Sequence, residues 1–450
     1  MRLNGGIGVM KHSIFFKFFS HIFSAYHWLW ALWGALRYRF PSQKLIVIGV
    51  TGTNGKSTVV SLLHEIFLHA GVSVGSISSL RFKINKNEQK NELKMTMPGR
   101  GMLQKFLAEC VANGCTYAVL EVTSEGIRQF RHEYINFDVA IFTNLTPEHI
   151  ESHGSFDAYR AMKKKLFRIT ARGSRKILFG EKVKKTLILN LDDPEHAHFF
   201  HNDADQIIEY TADARSCEKT VSKIFSAENI RLREDGASFI VHNTEFSSMF
   251  RGKFNISNIL AAVAAVDACG ISLASARDAL ALLRGVAGRL EEINEGQNFK
   301  VFVDYAHTPD ALQKVYETLL PRAGGLVCVL GAAGGGRDRW KRKEFGKLAS
   351  RFCREIILTN EDPYDENPSQ ILLEIESGVS DFSAFGGQVP ISKILDRREA
   401  IRHALIIAQP DDTVIITGKG AEPWMMGPRG TKIQWDDREV VREELHPLKT

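Results

Sequence analysis

The chain has 450 residues, 44% hydrophobic and 24% charged, with a net charge of +6. That length holds two or three domains with ample core, and the composition excludes wholesale disorder. The positive surplus is mild and spread along the chain, and no arginine-rich block interleaved with aromatics occurs, so nucleic acid is not expected as a partner.

Taken in chain order, the first feature is an apolar run from Ile14 to Leu36, rich in Phe, Trp, Leu, Ile and Ala. Its polar residues Lys17, Ser20, His21, Ser24 and His27 fall on one stripe at helical spacing, and Arg37 and Arg39 close it. The spacing predicts a short hydrophobic helical segment over residues 1–43. It can pack on the following domain, lie in a membrane interface with its Trp residues at headgroup level, or span a bilayer. No small-residue cleavage site follows it, which disfavours a signal peptide.

Leu45–Val50 then runs into Thr51-Gly52-Thr53-Asn54-Gly55-Lys56-Ser57-Thr58, and the amphipathic stretch Val59–His69 follows. This order is strand, phosphate loop, helix, and backbone N–H groups at the helix start favour an anion there. Lys56 adds a point charge for the β/γ-phosphates and Ser57 a hydroxyl for Mg²⁺. Val50 stands where the strict pattern has glycine. The chain is therefore expected to bind a nucleoside triphosphate.

Val72–Ser79 reads as a strand, Arg81–Lys94 as a polar hairpin or loop and Met102–Asn113 as a helix. Thr116–Val122 and Phe137–Asn144 read as buried strands, the second leading into a loop rich in His, Glu and Asp. The alternation predicts a mainly parallel α/β sheet with functional groups at the carboxyl ends of the strands, where Ser57, Glu121 and Asn144 fall. Glu121 is placed to hold the nucleotide's Mg²⁺, the plain alternative being a solvent-facing carboxylate. Lys163-Lys164-Lys165 alone reads as a solvated basic helix face. Residues 175–250 form shorter, more polar strands, with a turn at 190–194.

Helices over Asn255–Ala268 and Ala274–Leu283 precede a hinge at Gly285–Arg289. The alternation then restarts with strands at Val301–Tyr305, Gly325–Leu330, Glu355–Thr359 and Thr413–Thr417. Domains are accordingly set at 44–288 and 289–450. The six cysteines (Cys110, Cys115, Cys217, Cys269, Cys328, Cys353) include no Cys-x-x-Cys pair and are expected as buried, reduced thiols rather than zinc ligands or disulfides.

Thr51–Thr58, Glu121-Val-Thr-Ser124, Phe142-Thr-Asn-Leu-Thr-Pro-Glu-His149, His153-Gly154, Ala161-Met-Lys163, Gly252–Asn258 and Gly288-Arg289 together resemble the central domain of the Mur ligase family. Val303-Asp304-Tyr-Ala-His307-Thr-Pro-Asp310, Gly335–Arg342, Asp396-Arg397-Arg398, Gly418-Lys-Gly-Ala-Glu422 and Asp436–Glu439 resemble most closely the branch that extends a UDP-muramoyl-dipeptide. The resemblance covers roughly residues 44–445 in consistent order. It implies a P-loop parallel-sheet ATPase domain followed by a Rossmann-like α/β domain. The implied chemistry is ATP-dependent amide formation between a muramoyl-peptide carboxylate and a free amino acid, through an acyl phosphate, in peptidoglycan precursor synthesis. Thr51 to Thr58 would bind ATP together with Asn258 at adenine, Asp304 at ribose and Arg289 at the phosphates. Ser57 and Glu121 would hold one Mg²⁺; Glu121, His149 and a carbamylated Lys163 would hold a second. Lys56, Glu121, His149 and Lys163 form the implied catalytic set. Thr96, Ser124, Gln129 and Arg131 match acceptor-binding positions, and Arg337, Asp362, Tyr364, Gly418 and Glu422 match the amino-acid pocket. The protein is expected to be a cytoplasmic monomer, with peripheral membrane contact through residues 14–36 if that helix is interfacial.

Three departures stand out. The family's tripeptide-forming members begin with a uridine-binding domain of roughly a hundred residues, where this chain has the aromatic helix, so a lipid-linked carrier stays open. Tyr364 occupies the place of an arginine that pairs with the distal carboxylate of diaminopimelate, so lysine or another amino acid stays open. Glu125 and Ala421 replace family histidines. The alternative readings are a folylpolyglutamate-type ligase and an inactive, membrane-docked nucleotide-binding scaffold; retention of Lys56, Glu121, His149 and Lys163 argues against the scaffold.

Overall fold

A computed structural model describes residues 25–93, 95–99, 101–213, 223–321, 323–379 and 389–446. Two sheets dominate it. In the first, nine strands run in the order Lys223–Ser226, Gln206–Thr211, Thr186–Asn190, Val139–Phe142, Ile46–Thr51, Tyr117–Glu121, Val74–Ile77, Arg81–Ile84, Asn87–Lys90. The first seven pair in parallel, and the predicted polar segment after Ile77 closes the edge as an antiparallel hairpin. Side chains alternate between two buried faces, which is why these strands read as unbroken apolar runs. Ile48, Val50, Val119 and Ile141 face the helices Lys56–His69 and Lys253–Ala268. Val47, Ala118, Leu120 and Phe142 face Met102–Ala112 and Phe156–Arg172. The shorter strands of 175–250 add the sheet's far edge and an antiparallel sheet over Glu228–Ser248.

The second sheet runs Glu291–Glu292, Lys300–Asp304, Thr413–Thr417, Leu326–Leu330, Cys353–Leu358, Ile391–Lys393, parallel beyond the first pair. Helices cover both faces here too, giving the second sheet a core on each side apart from the two of the first sheet.

Residues 25–37 are helical; residues 14–24 of the predicted helix lie outside the described residues. The helix packs through Gly34 and Ala35, the glycine so close that a Cβ on it would lie 2.7 Å from Cα of Gly101. Trp28 meets the ring of Tyr134 at 6.0 Å, yet Leu29, Trp33 and Leu36 are half or more exposed (56%, 50% and 59%). Among the described residues no helix is long and apolar enough to cross a membrane.

Two expectations are corrected. Cys328 and Cys353 form a disulfide, with Cα atoms 6.0 Å apart. Parallel pairing brings together two strands that lie 25 residues apart in the chain, a closeness that cysteine spacing does not encode. Cys110, Cys115 and Cys269 are free thiols, and Cys217 lies outside the described residues. The Lys163–Lys165 run is not one solvated face: Lys164 is exposed, but Lys163 points inward and is buried, because the helix Phe156–Arg172 turns that position toward the phosphate loop.

Candidate active site between the two domains

The register of the first sheet sets the site. Val50 pairs with Glu121 and Thr51 with Phe142, so the phosphate loop, Glu121 and the Thr143-Asn144 segment emerge side by side at the carboxyl ends. The loop is laced to Asn144: the Thr53 N–H donates to its carbonyl and the Asn54 N–H to its side-chain oxygen, both at 2.8 Å. Gly55 sits at the helix N-cap with φ +85°, a conformation that favours glycine.

Ser57 Oγ donates to Glu121 at 2.8 Å, and Lys56 Nζ lies 4.0 Å from the same carboxylate while donating to the Thr53 carbonyl at 2.8 Å. Ser79 also donates to Glu121, through its N–H at 2.9 Å, and its hydroxyl meets that of Thr96 at 2.8 Å. Thr96 is thereby tied to the phosphate site through Ser79, a residue the sequence reading missed because only the fold brings it near.

Lys163 Nζ donates to the Gly52 carbonyl at 2.6 Å and lies 4.6 Å from the Tyr159 ring centroid. His149 stacks edge-on to the same ring at 5.9 Å. Burial, then the nearby Lys56 cation, push the Lys163 amine well below the ordinary lysine range. Burial, then the Arg337, Lys163 and Lys341 cations, push His149 down to about 2, so its imidazole is neutral and able to ligate. Glu148 pairs with buried Lys341 at 3.1 Å, and its Oε2 is buried without a hydrogen-bond partner.

The second domain completes the cleft. Arg289 Nη2 reaches Ser57 Oγ at 3.3 Å, its plane lies 4.4 Å over Tyr305, and its Nε is buried without a partner. Asn54 joins the domains, donating to Asp310 at 3.0 Å and accepting from Thr308 at 3.2 Å. Asp304 accepts from the N–H groups of Leu290 and Ala306, both at 2.6 Å. A cavity of about 1340 Å³ between the domains is lined by Asn54, Gly55, Asn258, Arg289, Asp304 and Asp310 among others. The expected adenine, ribose and phosphate residues thus share one cleft, and an unpartnered guanidinium nitrogen beside the phosphate loop suits an anionic ligand.

The acceptor-side residues form a connected strip. Ser124 Oγ meets His153 Nε2 at 3.1 Å, and Arg131 donates to the Met97 carbonyl and to Gln129, both at 2.5 Å. On the other side Lys419, fully buried between Gly418 and Gly420, binds Asp362 at 2.9 Å and Glu422 at 2.6 Å. Tyr305 OH donates to Glu422 at 2.9 Å, and the Met426 N–H to Asp362 at 2.8 Å. Gly418 leaves no room for a side chain, since a Cβ would lie 2.4 Å from Glu361 Oε2, and Tyr364 packs on Gly335. Lys419 is the organising cation of this pocket; the two glycines around it were the available signal. Arg397 forms a buried bidentate pair with Asp437 at 2.8 and 2.7 Å and donates to the Thr417 carbonyl at 2.8 Å, while the Gly420 N–H donates to Asp437 at 3.1 Å, so this pair braces the pocket loop from behind.

The chain is similar to known proteins over most of its length. Residues 50–266 match the family model described as the Mur ligase middle domain, and residues 288–420 the one described as Mur ligase, glutamate ligase domain. A UDP-N-acetylmuramoyl-L-alanyl-D-glutamate--2,6-diaminopimelate ligase from Halalkalibacterium halodurans is 35% identical over 413 residues, covering 91% of this chain and 80% of that protein. A UDP-N-acetylmuramyl-tripeptide synthetase from Roseiflexus sp. is 34% identical over 422 residues, covering 91% and 80%. The solved folylpolyglutamate synthase of Mycobacterium tuberculosis superposes with a TM-score of 0.67 at 16% identity, covering 87% of this chain and 92% of that one, a likeness of fold alone.

Proposed function

The chain belongs to the Mur ligase family, whose members are ATP-dependent acid–amino-acid ligases, and from that premise we propose that it extends a UDP-muramoyl-peptide acceptor by one amino acid. A carboxylate is a poor electrophile. In the proposed sequence an acceptor carboxylate oxygen attacks the γ-phosphorus of ATP and ADP leaves. The amino group of the incoming residue then attacks the acyl carbon, phosphate leaves, and the amine gives up a proton as the amide forms. The observation that carries this reading is the meeting of Lys56, Ser57 and Glu121 from one domain with Arg289 from the other, 3.3 Å from Ser57. Lys56 and Arg289 would neutralise the γ-phosphate as it is transferred, and a site assembled across two domains would exclude water from the acyl phosphate.

The Ser57 hydroxyl and Glu121 carboxylate, 2.8 Å apart, are the hard oxygen donors that suit Mg²⁺. A second ion would be held by Glu121 and His149 with an oxygen ligand from a carbamylated Lys163, as the family resemblance implies; among the described residues no cluster of three or more His, Cys, Asp or Glu side chains could hold a metal. The buried Lys163 amine, whose pKa burial lowers, would add CO₂ and release a proton to give an anionic carbamate that joins Glu121 and His149. Bound Mg²⁺ would supply charge neutralisation for the phosphate being transferred.

Thr96, Ser124, Gln129 and Arg131 would seat the acceptor; Arg337, Tyr364, Gly418 and the Lys419-braced Asp362 and Glu422 would seat the amino acid. Thr96-Met97-Pro98 and Glu361–Tyr364 favour a muramoyl over a folate acceptor. The exposed Leu29, Trp33 and Leu36, on a chain with no Asp or Glu before Glu65, support peripheral contact of a cytoplasmic monomer with an anionic membrane face. Flotation on vesicles of anionic lipid should fall when Leu29, Trp33 and Leu36 are replaced by Ser; unchanged flotation removes that contact.

The reaction is tested by phosphate release from ATP with acceptors crossed against amino acids. Turnover with a UDP-muramoyl-dipeptide and one amino acid is expected, and is lost with EDTA. Turnover only with a folate acceptor, or ATP binding without turnover on any acceptor, rejects the proposal.

A further inference from the structure

His149 is held in a left-handed conformation (φ 58°, ψ 25°) at the N-cap of the one-turn helix Ile150–His153. A side chain bearing a Cβ persists there only where its surroundings over-determine the backbone. Its own segment supplies no capping side chain. The determinants come from the other domain. Asp338, itself buried, accepts from the N–H of Ile150 at 3.2 Å and of Glu151 at 2.9 Å. The Arg339 N–H donates to the Glu151 carboxylate at 2.7 Å. Lys341 pairs with Glu148 at 3.1 Å and also donates to the His307 carbonyl at 3.2 Å. The residues immediately before and after His149 are thus both gripped by the segment 338–341.

We infer that segment 338–341 of the C-terminal domain is a clamp that sets the orientation of His149, with Asp338 as its positioning residue, so that the second metal position is complete only when this segment is docked. Arg337, the residue just before this segment, lies close enough to Tyr364 of the amino-acid pocket for the two groups to interact electrostatically. Binding of the amino acid and completion of the metal position are then coupled, each favouring the other by the same factor. The inference rests on the proposed role of His149 at a second metal.

The test uses the full chain with ADP and bicarbonate, titrated with Mn²⁺ while free Mn²⁺ is followed by electron paramagnetic resonance. Wild type should take up two ions. Asp338→Ala should weaken the second by about three- to thirtyfold, the range spanned by loss of a cap, and leave the first unchanged. Asp338→Asn keeps one acceptor oxygen and should fall between, and it carries the test if the alanine variant does not fold. His149→Ala should lose the second ion outright. If His149→Ala loses it but both Asp338 variants bind two ions as wild type does, the clamp is refuted and the metal reading stands. If His149→Ala still binds two ions, the metal reading itself fails, and the clamp with it.

Discussion

Asn258 stands so close to Gly55 that a Cβ on the glycine would lie 2.2 Å from the amide Oδ1. The helix carrying Asn258 therefore roofs the phosphate loop, and the loop approaches it as bare backbone. Gly55→Ala meets both this contact and the φ of +85°, a strain of about 1–3 kcal/mol. Calorimetric titration with ADP should show affinity lowered by about tenfold or more; wild-type affinity would mean that the roof gives way freely.

Lys163 should carry CO₂. With ¹³C-bicarbonate, a carbamate carbon signal is expected in wild type and not in Lys163→Ala. The amine must be unprotonated to react, and burial lowers its pKa, so the signal should be present at neutral pH and disappear on acidification. Lys163→Ala should lose about a hundredfold or more in turnover. A variant as active as wild type rules out the carbamate.

Tyr364→Arg tests the amino-acid pocket. An arginine there gains a bidentate partner for a distal carboxylate, worth about ten- to hundredfold for a charged hydrogen-bonded pair. The ratio of kcat/KM for diaminopimelate over lysine should rise by that factor; no change would show that this position does not face the side chain.

Away from the site, Asp138 is fully buried between Lys176 at 2.5 Å and Lys185 at 2.8 Å, and accepts from the Val47 N–H at 2.8 Å. Asp138→Asn leaves two buried ammonium groups uncompensated and should destabilise by about 3–5 kcal/mol. Urea unfolding should show this with ADP affinity unchanged.

The same cluster gives a pH signature. Burial holds Lys176 down at about 8, against the pull of Asp138, below the ordinary lysine value of 10.5. Between those values the folded chain binds fewer protons than the unfolded one, so this group's contribution to stability rises with pH across that window. The stability of wild type relative to Lys176→Met should climb from pH 8 to 10.5; a flat or falling difference contradicts it.

Much of the site was readable because local chemistry demands particular residues. A phosphate loop needs Gly55 and Lys56 between a β-branched strand and a helix, and Glu121 had to end its strand to reach the loop. Ser79 carried no such signal: it is an ordinary serine between a strand and a hairpin, and it touches Glu121 only through sheet order. From residue pattern alone Lys163 reads as one of three surface lysines; only the family resemblance singled it out, and the helix rotation turns it inward.

The sequence by itself determined the two α/β domains, the position of the phosphate loop and the family, since apolar periodicity and turn chemistry are local and written residue by residue. The tertiary structure alone decided the rest. It joined Cys328 to Cys353, set a single carboxylate between Lys56 and Ser57, and placed Asp338 against the turn that carries His149. Those are contacts between segments far apart in the chain, fixed by strand register and domain packing rather than by any short-range preference of the residues that make them.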